Sequence, residues 1–115
     1  MEIQETKEGK ITIVTIVGRL DNTNYIGFEK RLTTIMDNDE RNLLLDCTNL
    51  EYLSSAGLRA LLGILKKMTA VEGKFTLCSL NDRIKKIFHM SGFIKLFTIY
   101  DTRTEALKNL GSQTE

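Results

Sequence analysis

Proline is absent from the 115 residues, no internal repeat is present, and no linker is long enough to divide the chain. One domain over residues 1–115 is therefore expected, with a tail beyond Gly111 that frays. Cysteine is scarce. Cys47 and Cys78 form no CxxC pair and have no second cluster of Cys or His beside them, so no metal or redox cofactor is expected and both read as buried free thiols. Long apolar runs are missing too. Nothing approaches the roughly 18 residues of a membrane span, and the opening Met1 to Lys7 lacks the basic start and apolar core of a signal peptide. A cytoplasmic protein without direct membrane insertion is the expectation. Charge of one sign is also lacking: the formal net charge is +1, with acids and bases interspersed, so no broad field exists for nucleic acid or an anionic surface.

What remains is ordinary globular material, 42% hydrophobic and 27% charged, in a chain that can bury roughly two-thirds of its unfolded surface. A β-branched run from Ile11 to Val17, preceded across Lys7-Glu8-Gly9-Lys10 by a shorter stretch, predicts an opening hairpin. Beyond the polar loop 19–24, Tyr25, Phe28, Leu32, Ile35 and Met36 recur at helical spacing. Leu43-Leu44-Leu45 is apolar without alternation, as in a strand covered on both faces. Leu50, Tyr52 and Leu53 then read as anchors of a loop leading to a helix with Leu58, Leu61, Leu62, Leu65 and Met68 on its packed face.

A strand over 74–78 follows, then a helix capped by Asn81 and closed near Ser91-Gly92, and a last strand over 97–100. Thr102 and Glu105 have capping-box spacing before a C-terminal helix with Ala106, Leu107 and Leu110. The order is β-β-α-β-α-β-α-β-α, an α/β fold with a mixed sheet flanked by helices. Right-handed crossovers bring loops after successive parallel strands to one end of the sheet, so 18–24 should lie near 46–55.

Ser54-Ser55 stands directly before the leucine-rich helix, at cap positions. A cap serine contributes about 1 kcal/mol, which is one complete explanation of the pair. Phosphorylation is the other, because a helix N-terminus favours the roughly two negative charges of a phosphate. Asp21 and Asn22 each read equally as a cap of the first helix or as a contact, and Arg59 as a solvated charge or a contact. Asp46 reads as a brace of its own loop. Gly57 and Gly63 read as close-packing positions.

The segments Gly18-Arg19-Leu20-Asp21 and Asp46 followed by Ser54-Ser55-Ala56-Gly57-Leu58 resemble the STAS family, in particular the bacterial anti-sigma factor antagonists, over most of the chain. The sequence departs from that pattern at Ser54, where the family has an acid, and at Ala56, where it has a serine. The resemblance implies a STAS-like mixed sheet flanked by helices and a phosphoacceptor at Ser55, with Ser54 as second candidate. It also implies a partner-binding surface comprising Asp21, Asn22, Thr23, Ser54, Ser55 and Arg59. The implied partners are an anti-sigma factor that is also a serine kinase, and a PP2C-type phosphatase. The unmodified protein would bind the kinase and so release a sigma factor; no cofactor is required of this chain.

An alternative within the same resemblance is a scaffold subunit of a signalling assembly or of a membrane transport complex, with Ser55 only a helix cap. Catalysis has a weaker claim. Ser55, Asp82 and His89 follow a hydrolase order, but Leu53 stands where a nucleophile elbow needs glycine. The protein is accordingly read as a binding switch, not an enzyme.

Overall fold

The computed structural model describes residues 1–114, with side-chain surroundings through Gly111. Strands β1 (Glu2–Glu8) and β2 (Ile11–Leu20) form the opening hairpin, turning at Gly9, whose φ of 61° lies in the left-handed region. Helix α1 (Tyr25–Asp37), β3 (Asn42–Asp46), β4 (Leu50–Leu53), α2 (Ser55–Ala70) and β5 (Lys74–Cys78) follow. Helix α3 (Asp82–Ser91), a 3-10 turn (Phe93–Lys95), β6 (Thr98–Tyr100) and α4 (Arg103–Thr114) complete the chain. The sheet order is β1-β2-β3-β5-β6, antiparallel at β1–β2 and parallel elsewhere, with β4 paired in parallel to the end of β2.

Strand β4 corrects the expected order. Leu50 to Leu53 is not merely a loop anchored by apolar residues but a short strand, too brief to stand out by periodicity before the helix it feeds. Its pairing depends on Gly18, which at φ 99° lets β2 leave β3 after Thr15 and continue alongside β4 with a shifted register. The Gly18 amide donates to Asn49 O at 3.0 Å at this branch point.

The sheet carries two apolar layers. Leu43 and Leu45 face a large core with α1, α2 and α3, including Phe28, Leu61, Ile64 and Phe88, whereas Leu44 faces the smaller layer with Ala106 and Leu110 of α4. That division accounts for the unbroken leucine run of β3, buried on both faces. On α2 the buried stripe is rotated from the expected one: Ala60 and Ile64 are buried, while Leu62 and Leu65 are only partly covered. The expected caps of α3 and α4 are present. Asn81 Oδ1 accepts from the Ile84 amide at 2.8 Å, Gly92 closes α3 at φ 80°, and Thr102 Oγ1 accepts from the Glu105 amide at 3.1 Å. Helix α4 is described as far as Thr114, and Glu115 lies outside the described residues. Among the described residues no helix is long and apolar enough to cross a membrane.

Candidate functional site

Strand β2 ends at Leu20 and β4 at Leu53, side by side, so the loop 21–24 and the start of α2 emerge together at one end of the sheet. Leu20 joins them. Its carbonyl accepts from the Ser54 amide at 3.0 Å, and a Cβ on Gly57 would come within 2.6 Å of that same oxygen. Gly57 is therefore the contact point that lets the first turn of α2 lie against the end of β2. Gly63 has no such role, contrary to the close packing expected of it: a Cβ there meets nothing within 4 Å.

The two serines divide their tasks. Ser54 is the N-cap, its Oγ accepting from the Gly57 amide at 3.1 Å while its carbonyl accepts from the Leu58 amide. Ser55 is the first helical residue and exposed, and among the described residues its hydroxyl makes no hydrogen bond. Only Ser54, then, fills the capping role that the sequence left open to either. Helix polarity leaves positive potential at Ser55, where an added phosphate gains about 0.3 to 1 kcal/mol.

The neighbouring loop is held by its own side chains. Asp21 Oδ1 accepts from the Thr23 hydroxyl at 2.6 Å and the Thr23 amide at 2.9 Å, and Asp21 Oδ2 lies 3.5 Å from Arg19 Nε. The Thr23 hydrogen bonds foremost, with help from Arg19, hold the Asp21 carboxyl below its usual range, so it stays ionised. Neither Asp21 nor Asn22 caps α1 through its side chain. Asn24 occupies that position, and its amide instead spans the loop, accepting from Asp21 N and donating to Arg19 O, both at 2.9 Å. Asn22 and Thr23 are exposed.

The sequence gives Arg19 no role at the site and marks Tyr52 only as an anchor. The Arg19 guanidinium lies 4.1 Å above the Tyr52 ring, joining the end of β2 to β4 on the exposed side. Such a contact is worth about 0.5–1 kcal/mol at an exposed position, enough to bias a surface loop but not to define a fold. No local signal links residues 33 positions apart in this way; it depends on the β2–β4 pairing.

Arg59 is exposed one turn into α2, and among the described residues its guanidinium has no partner. No hydrogen bond connects it, or Ser55, to Asp21, Asn22 or Thr23, so these groups share an end of the sheet without forming a network. Asp46 braces its own loop as expected, accepting from the Thr48 hydroxyl at 2.6 Å and amide at 3.0 Å, and it also pairs with Arg103 of α4 at 3.3 Å.

The hydrolase arrangement is not assembled. Asp82 and His89 are both exposed on α3, no hydrogen bond joins either to Ser55, and Ser55 lacks the positive φ of a strained elbow.

The STAS domain family matches residues 2–106, and the chain belongs to that family. It is 32% identical over 106 residues to BtrV of Bordetella bronchiseptica, provisionally named as an anti-sigma factor antagonist, covering 92% of this chain and 91% of that one. An anti-sigma F factor antagonist of Paenibacillus polymyxa is 25% identical over 111 residues, covering 96% and 95%. Among solved structures, the anti-sigma factor antagonist SpoIIAA in its unphosphorylated form superposes with a TM-score of 0.73 at 19% identity, over 95% of this chain and 97% of that one. The likeness to the solved structure agrees with the mixed sheet flanked by helices described above.

Proposed function

We propose that this chain is an anti-sigma factor antagonist whose partner binding is switched by phosphate at Ser55. The exposure of Ser55 at the first position of α2, with Ser54 already filling the cap, carries the reading. A residue needed for capping could not be modified without loss to the helix; Ser55 is spared that duty. The names of the relatives support the antagonist role, and the Asp21–Thr23 loop beside the helix start supplies a surface on which a partner would meet both segments.

In this cycle the unmodified face, formed by Asp21, Asn22, Thr23, Ser54, Ser55 and Arg59, binds an anti-sigma factor that is also a serine kinase. ATP and metal are bound by that partner. Transfer to Ser55 forms a bond between its Oγ and the γ-phosphorus of ATP, breaks the bond to ADP and releases the hydroxyl proton. The added charge of roughly −1.5 to −2 must then be desolvated in the interface beside the ionised Asp21, and each 1.4 kcal/mol of penalty is about tenfold in affinity. A PP2C-type phosphatase returns the protein to its binding form, in the cytoplasm.

Incubation with the candidate kinase and ATP, followed by intact mass, tests the acceptor. Ser55→Ala is expected to block incorporation, whereas Ser54→Ala retains it while lowering stability by about 1 kcal/mol through the lost cap. Phosphate entering Ser55→Ala but not Ser54→Ala would move the switch to the capping serine. Absence of phosphate from the native protein would leave the chain a constitutive scaffold.

A further inference from the structure

Helix α3 and the 3-10 turn after it leave large apolar side chains in solvent at a place remote from Ser55. Met90 is 78% exposed and Leu96 54% exposed, and Ile87, Phe93 and Ile94 are only partly buried against the core beneath them. The surroundings are basic. Residues 82–96 carry four Lys and Arg against one acid, while the rest of the chain has two more acids than bases. Arg83, Lys86 and Met90 stand at spacings of three and four along α3 and therefore share one face, with Lys95 exposed in the turn that follows. Lys85 is already engaged by Asp101 at 3.4 Å, and Asp82 lies at the far, N-terminal end of the helix.

We propose that this face is a second protein-docking surface, and that its occupant is an acidic amphipathic segment of a partner. Exposed Met90 and Leu96 would receive the apolar side chains of that segment, Met90 being unbranched and able to adapt to them, while Arg83, Lys86 and Lys95 pair with its carboxylates. A lipid surface is the poorer fit. Lipid-binding clusters gather about four to eight Lys or Arg, and among the described residues only Arg83, Lys86 and Lys95 stand unengaged here, around two well-exposed apolar side chains.

The position sets the consequence. Helix α3 follows the C-terminal end of β5 and starts beside β4, where Asn81 Nδ2 donates to Leu50 O at 3.1 Å, and its ten residues run about 15 Å back toward the start of β6. Met90 therefore lies toward the end of the sheet opposite Ser55. A partner held there can stay bound through both states of the serine, so the domain can hold one protein while releasing another. This proposal does not depend on Ser55 being phosphorylated.

The test uses the full chain, labelled for amide NMR, and three probes. They are a synthetic helical peptide with Leu and Phe on one face and Glu on the other, the same peptide with Lys for Glu, and vesicles containing phosphatidylserine. The acidic peptide is expected to shift amides within 83–96 saturably. Arg83→Glu with Lys86→Glu should weaken it at least tenfold without moving the melting temperature, since both side chains are exposed. Met90→Ser should weaken it as well, and phosphate installed at Ser55 should leave it unchanged. No binding, shifts mapping elsewhere, equal binding of the basic peptide, or binding of vesicles in place of the acidic peptide would each overturn the proposal.

Discussion

At the scale of single residues, glycines and thiols give the sharpest expectations. Gly57→Ala forces a methyl to within 2.6 Å of Leu20 O and 2.9 Å of a Leu53 methyl, an overpacking that should cost about 1–3 kcal/mol. Gly63→Ala, in open space on the same helix, should instead gain up to about 1 kcal/mol from helix propensity. Chemical denaturation of the two variants checks the pair; equal effects would remove Gly57 as the contact point between β2 and α2. The thiols follow from burial, which pushes Cys47 up well beyond its ordinary value and Cys78 up to about 11. Both must keep their protons in the fold, so their contribution is complete below an ordinary value of 9.0, and that of Cys78 is lost as pH rises through about 11. Melting temperature should therefore fall between pH 9 and 11 more steeply than in a Cys47→Ala, Cys78→Ala variant, and a native-state thiol reagent should react slowly at pH 8.

Among the elements, legibility tracked how local the cause was. Helix α3 could be bounded from Asn81 and Gly92 because a cap and a left-handed stop are written in adjacent residues. Leu43-Leu44-Leu45 announced a strand buried on both faces for the same reason. Strand β4 could not be bounded, since four residues carry too little pattern and their strand character comes from the end of β2, which reaches them only after Gly18 redirects it. The serine pair was visible as a cap, but which serine caps was not: it depends on Leu20 O fixing the Ser54 amide, a contact 34 positions away in sequence. The Arg19–Tyr52 stacking was hidden likewise. Asp46 was legible as a loop brace through Thr48, two residues on, but its ion pair with Arg103 was not. Arg103→Ala leaves the nearly buried Asp46 carboxylate with only its Thr48 bonds and should cost about 1–3 kcal/mol, readable by urea denaturation; no loss would make the pair incidental.

Over the whole molecule, the parallel strands place the switch and the proposed docking face toward opposite ends of one sheet. In the proposed cycle the first would meet partners through a charge that can be added or removed, the second through apolar and basic side chains that do not change. Such a separation would let the same fold serve as switch and scaffold, two roles that the sequence presents as alternatives. Whether phosphate at Ser55 controls partner binding is read by calorimetry on the full chain, unmodified and with phosphoserine installed at position 55, against the candidate anti-sigma kinase. The phosphorylated protein is expected to bind with a dissociation constant at least tenfold weaker, with its melting temperature unchanged or slightly raised by the helix terminus. Equal affinity of the two forms, each folded, would contradict it.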